Sequence, residues 1–395
     1  MADNPFVVSL LARETGFADR ETELARIEAA FATPGGKLVV YGDRRLGKSS
    51  ALERAAVAVR KRKGRVAIAS LATASDASEA AQRVLSAAQK EVGSSWREIM
   101  EGIARGLRIG FEISPSLDPT GIPSIKFTFA VDPKTVDAGL LPDVLNALNE
   151  QLERRNMQFG LGLDEFQRIH EWGGEDAEWT LREAVQRHGA IAYVFAGSKR
   201  HLIEAMIGSK GRALWKLADV LRFGPIDADV FADWIVEEAF GTGLEIPLAE
   251  AQAIVRLAGP RTRDVVQLAR AVWALTNSAG KAEAGDIARA MEQVVQEQAE
   301  LFRTIFVKLN AARQAILRAF ASEPSVQITA AAAIRQYRLG PKSTVQSALE
   351  SLVEDEHLTR FASGGYGFDD PFFRRWVQVY ALPDIGAPVP PLSGR

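Results

Sequence analysis

The stretch Lys37-Leu38-Val39-Val40-Tyr41-Gly42-Asp43-Arg44-Arg45-Leu46-Gly47-Lys48-Ser49-Ser50 decides how the first half of this chain is read. Its opening residues, apolar and partly β-branched, predict a short buried strand. From Ser49 to Arg60 apolar side chains recur at helical spacing, which predicts a helix. Between the two, Gly42 to Ser49 follows the pattern G-x-x-x-x-G-K-S. Glycines at both ends let the main chain wrap a polyphosphate, and the N–H groups opening the helix point at it. Lys48 has the reach for the outer phosphates, and the Ser49 hydroxyl is a ligand for Mg²⁺. Asp43, Arg44, Arg45, Leu46 and Ser50 complete the loop around the same phosphates. The expectation is a nucleoside triphosphate held with Mg²⁺.

Working outward, 395 residues are too many for one ordinary core, so two or three domains are expected. A formal net charge of −2 gives no global field toward nucleic acid or acidic lipid, so any such surface is local. The chain has no cysteine, which excludes disulfides, thiolate catalysis and cysteine-based zinc sites. The N-terminal residues lack a basic region followed by a long apolar core, and no apolar stretch approaches bilayer length. A soluble, cytoplasmic protein with no membrane partner is expected.

Four strand-like runs mark the first half: Leu38–Tyr41, Arg65–Ser70, Gln158–Leu163 and Ala190–Ala196. Helical stretches between them predict an α/β fold with a mostly parallel sheet covered on both faces, over residues 1–224. Within it, alternating residues in 106–131 around a Pro- and Gly-rich centre predict an inserted β-hairpin, either an edge decoration or a partner surface. Beyond it the pattern is helical: Asp227–Phe240, Leu248–Ala258, Arg261–Asn277 and Ala284–Phe306 form an expected helical lid over 225–307. Residues 308–381 outline a winged helix: helices Ala311–Ser322, Thr329–Tyr337 and Lys342–Asp355, then a glycine-tipped hairpin. Residues 382–395 carry four prolines and read as an extended or disordered end.

The third strand runs into Asp164-Glu165. At the carboxyl end of a strand beside a phosphate loop, Asp164 is placed to serve the Mg²⁺ shell and Glu165 to polarise an attacking water. The fourth strand ends at Gly197-Ser198, which puts a hydroxyl next to those acids for the outer phosphate or the water. Arg261 and Arg263 open a helix after Gly259-Pro260; either is a possible nucleotide sensor, and both read equally well as surface residues beside a cap. A finger acting on a neighbouring copy has five candidates, Arg182, Arg187, Lys199, Arg200 and Arg212, among which the sequence does not choose. Gly16-Phe17-Ala18-Asp19-Arg20-Glu21 precedes an amphipathic helix and reads either as a cover for the base or as a plain helix start. His170, His188, His201 and His357 do not fall at ligand spacing, so no metal site beyond nucleotide-bound Mg²⁺ is expected.

The winged-helix region holds eight Lys/Arg against seven Asp/Glu from Leu309 to Tyr380, a weak charge balance for binding DNA. Arg335, Arg338 and Lys342 nevertheless gather where a reading helix would begin.

The assembly resembles the archaeal-type ATPases, a STAND-class branch of P-loop NTPases related to AAA+ initiator ATPases. The resemblance covers nearly the whole chain. It rests on Phe17-Ala-Asp-Arg-Glu21, the Tyr41–Ser50 loop, Leu163-Asp-Glu-Phe-Gln167, Phe195-Ala-Gly-Ser198 and Tyr366-Gly-Phe-Asp-Asp-Pro-Phe-Phe-Arg-Arg-Trp376. It implies ATP and Mg²⁺ as ligands, with Lys48 and Ser49 on phosphate and metal, Asp164 and Glu165 supporting hydrolysis and Ser198 as first sensor. Arg20 and Arg261 would join the nucleotide contacts. The implied activity is a slow, ATP-hydrolysing switch acting on a protein or nucleic-acid partner through the winged helix, with nucleotide-dependent oligomers possible. The alternative is a DNA-binding initiator or mobile-element AAA+ ATPase assembling on duplex DNA.

Overall fold

The computed structural model describes residues 3–7, 18–107, 110–117, 123–130, 139–208, 210–361 and 364–392. It divides into two compact units, residues 11–225 and residues 226–395 with the N-terminal ten.

In the first unit, five strands form one parallel sheet: β1 (Lys37–Tyr41), β2 (Val66–Ser70), β5 (Phe159–Asp164), β6 (Ile191–Gly197) and β7 (Asp219–Arg222). Their spatial order is β2-β5-β6-β1-β7, every pair parallel. All residues of β5 and β6 are buried, as continuous apolar runs in a sheet covered on both faces should be. On one face the helices Ala77–Val92, Leu140–Glu153 and Arg168–Val185 pack Leu85, Leu145 and Leu181 into a core with Tyr193 and Phe195. On the other, helices Glu21–Ala32 and Lys48–Lys61 contribute Ile27, Phe31, Leu52 and Ala55.

Each of the four expected strands is present within a residue or so of its reading, and β7 is the addition. With four residues and only Leu221 buried, β7 has no periodic apolar signal to announce it. The inserted hairpin is there as β3 (Gly110–Leu117) and β4 (Pro123–Ala130), paired antiparallel over their full length; its tip lies outside the described residues.

The second unit begins with helices Ala228–Phe240, Leu248–Ala258 and Thr262–Thr276. Asp227 caps the first, its carboxylate accepting from the N–H groups of Asp229 and Val230. The single helix expected over Ala284–Phe306 is two, Ala284–Glu297 and Ala299–Lys308, because Gln298 leaves helical geometry with φ −104° and ψ 4°. Helices Ala311–Ser322, Ala331–Gln336 and Lys342–Glu354 then lead to a hairpin of β8 (Leu358–Arg360) and β9 (Tyr366–Phe368). A further helix, Pro371–Trp376, starts on an Asp370 cap and buries Phe372, Phe373 and Trp376. That burial makes the terminal aromatic cluster core, with Phe373 ring centroids 5.4 Å from Phe302 and 5.9 Å from Phe368. Residues 3–7, read in sequence as part of the first domain, belong to this unit: Phe6 needs apolar cover and meets the Trp234 ring edge-on at 5.6 Å. Among the described residues no helix is long and apolar enough to cross a membrane.

Candidate functional site

The loop expected to bind phosphate joins β1 to the Lys48–Lys61 helix at the carboxyl edge of the sheet. Gly47 caps the helix with φ 95°, left-handed geometry natural to glycine, and Arg45 also sits at φ 64°. Gly42 is fixed by tertiary packing: a Cβ there would lie 2.0 Å from the Phe223 carbonyl oxygen, where the chain leaves β7. The first-turn N–H groups of a helix have no intrahelical acceptors, so this end presents donors and partial positive charge to an anion.

Lys48 is buried, and its ammonium donates to the carbonyls of Gly42 at 2.8 Å and Asp43 at 2.6 Å. Burial lowers its pKa to about 8, with Glu165 and Asp164 pulling the other way. Ser49 Oγ donates to Asp164 Oδ2 at 2.7 Å. A hydroxyl and a buried carboxylate brought together from two elements are the donor types that suit Mg²⁺, so the residues fit the metal. Burial also raises the Asp164 pKa, while the Ser49 hydrogen bond opposes it. Among the described residues no cluster of three His, Asp or Glu side chains could hold a metal by itself.

Glu165 follows directly and takes left-handed backbone geometry, φ 57°, which turns it off the strand. Ser198 Oγ, from the tip of the neighbouring β6, donates to Glu165 Oε2 at 2.8 Å. Ser198 in turn accepts from Arg44 Nε at 3.3 Å, so the loop, both acids and the second strand tip form one hydrogen-bonded group. The fold thus brings Gly42 to Ser50, Asp164, Glu165 and Ser198 together in the first unit.

Two further residues expected near the nucleotide have partners within the protein. Arg20 is buried, but its guanidinium donates to Glu23 and to the Gly224 carbonyl and lies 4.2 Å from the Phe223 ring centroid. It braces the segment that packs on Gly42; Gly16 and Phe17, from the same expectation, lie outside the described residues. Arg261 is in the second unit, where its guanidinium takes both carboxylate oxygens of Asp369 and reaches Thr359 Oγ1 at 3.3 Å. A planar carboxylate at the end of the wing engages the whole fork, so Arg261 anchors the wing. Arg263 is exposed. The five finger candidates all have partners within the first unit: Arg182 on the Ala213 and Trp215 carbonyls, Arg187 on Glu183, Lys199 on Glu171, Arg200 on Glu204 and Arg212 on Glu175 and Glu178.

Sequence reasoning gave no role to Gln167 and missed the braces at Phe223 and Gly224. For Gln167 a signal existed, a polar amide two positions after the second acid. For Phe223 none did, since its contact with Gly42 joins positions far apart in sequence.

Three comparisons bear on this geometry. Residues 300–379 match a family model described as "Probable winged helix domain". No curated protein matches the chain. Among solved structures, the Walker-type ATPase Paby2304 of Pyrococcus abyssi is similar over 95% of this chain and 100% of its own, with a TM-score of 0.62 and 17% identity. The ORC2 protein of Aeropyrum pernix, in ADPNP–ADP complexes, is similar over 95% of this chain and 96% of its own, with a TM-score of 0.56 and 15% identity. The fold is therefore that of these ATPases: a P-loop α/β core carrying a C-terminal winged helix. It is the fold that the resemblance in sequence implied.

Proposed function

We propose that this protein binds ATP with Mg²⁺ at the Gly42–Ser50 loop and hydrolyses it, slowly, as a switch on a macromolecular partner. The observation that carries the reading is the hydrogen-bonded group of Ser49, Asp164, Glu165 and Ser198 beside Lys48. Lys48 gives up the loop carbonyls for the outer phosphates. Ser49 and Asp164 hold Mg²⁺, which, when bound, offsets phosphate charge. Glu165 takes a proton from water as its oxygen attacks the terminal phosphorus and the bond to ADP breaks. Ser198, within reach of Glu165, hydrogen-bonds the water or the departing phosphate.

The second reading, a DNA-binding initiator or mobile-element ATPase, is favoured by the winged-helix match and by exposed Arg335, Arg338 and Lys342. None of these three has an ion-pair partner among the described residues. Steady-state ATP hydrolysis by wild type and Glu165→Gln, with and without duplex DNA, tests both. Loss of hydrolysis by about 100-fold or more in the variant, with ATP binding kept, is expected. Stimulation by DNA that fades with salt, and with removal of the three basic residues, selects the initiator. Indifference to DNA selects a protein partner. Hydrolysis unchanged in Glu165→Gln overturns the catalytic assignment.

A further inference from the structure

Gln167 lies two residues beyond Glu165 and is 1% exposed. Its amide Nε2 donates to Glu165 Oε2, the same oxygen that accepts from Ser198. Its own Oε1 is buried without a donor. Turning the amide over would set that carbonyl oxygen against a carboxylate oxygen, two acceptors face to face, so the N–H must point at Glu165. A buried, unpaired carbonyl oxygen is unfavourable, and a side chain with no task there would not be expected to keep one.

The opposite wall tells the same story. A Cβ on Gly197 would lie 2.2 Å from Gln167 Oε1 and 2.4 Å from Ile203 Cδ1. Gly197 does not have positive φ, so the backbone conformation does not ask for glycine. What asks for it is the room Gln167 occupies under the tip of β6.

We propose that Gln167 is the positioning residue for Glu165, and that Gly197 is glycine to admit it. Because Glu165 has left-handed geometry, neither a strand nor a helix holds its side chain. Two donors on Oε2 hold the carboxylate and leave Oε1 as the oxygen to face a water. On this proposal Gln167 acts through Glu165 alone. The inference rests on the proposed role of Glu165 as base.

The test is single-turnover ATP hydrolysis by the full chain, with nucleotide affinity measured in parallel. Gln167→Leu fills much of the same space with an apolar side chain and removes the donor. Its rate should fall about 10- to 100-fold, the range expected for lost orientation, with affinity unchanged within about twofold. Gly197→Ala, which displaces the Gln167 side chain without removing it, should do the same. In a Glu165→Gln background Gln167→Leu should have no further effect, which a general structural role would not produce. An unchanged rate in both single variants, an equal loss of affinity, or an additive loss in the Glu165→Gln background would each overturn the proposal. Wild-type hydrolysis that does not need Glu165 would instead remove the reading on which it rests.

Discussion

Lys48 carries a charge that the fold makes expensive before any ligand arrives. Burial brings its pKa to about 8, so near that pH the free protein is a mixture of ammonium and amine. Phosphate oxygens favour the ammonium, and binding must therefore take up a proton. Affinity for ATP should be level below pH 7 and fall above pH 8, by up to about tenfold per pH unit. Calorimetric titration near pH 8 in buffers of different ionisation heat should show uptake of roughly half a proton. Absence of uptake would mean the ammonium is already secured by its carbonyl partners. At this scale the sequence singles out Lys48, Ser49, Asp164 and Glu165, which the fold brings together, since each proposed chemistry needs its own residue type. The protein partners of Arg20 and Arg261 were not legible, because a guanidinium suits any acceptor and only the fold shows which one is in reach.

Among the elements, β5 and β6 form the centre of the sheet, and their glycines and rings reflect how closely it is packed. A Cβ on Gly160 would lie 2.9 Å from Phe31 Cδ1 and 3.0 Å from Val66 Cγ2, so helix and neighbouring strand close over it. On β6, Tyr193 stacks on Phe195 with centroids 5.5 Å apart and places its hydroxyl 2.6 Å from His188 Nδ1. His188 Nε2 meets Asn146 Oδ1 at 2.9 Å, so the ring ties helix to strand as a neutral group. Burial, then Lys37, hold its pKa down to about 4 from 6.5. The unfolded chain binds the proton more tightly, so this stability is present above pH 6.5 and is lost as pH falls toward 4. Urea unfolding should show about 2 kcal/mol less stability at pH 5 than at pH 7 from this group. His188→Gln should flatten that part of the profile; an equally steep variant would assign the loss to other groups. The strands themselves were readable from continuous apolar runs, whereas β7 was not, having one buried residue.

Across the whole molecule, two compact units hold different parts of the expected machinery. In the second, Arg261 at the start of the Thr262–Thr276 helix grips Asp369 beyond β9, and Thr359 Oγ1 donates to the same carboxylate at 2.8 Å. Arg261→Ala leaves that nearly buried carboxylate without its partner and should destabilise this unit by about 3 kcal/mol. Thermal unfolding reads the loss, and ATP affinity should stay unchanged. A drop in affinity with stability intact would return Arg261 to the nucleotide. By itself, the sequence determined the loop, the two acids, the parallel α/β core and the winged helix, because local pattern and residue chemistry specify these within short stretches. Only the tertiary structure decided which side chains meet: Gly42 under Phe223, Gln167 beneath Gly197 and onto Glu165, Arg261 on Asp369. Those pairings depend on distances between segments remote in the chain, which packing sets and no local pattern records.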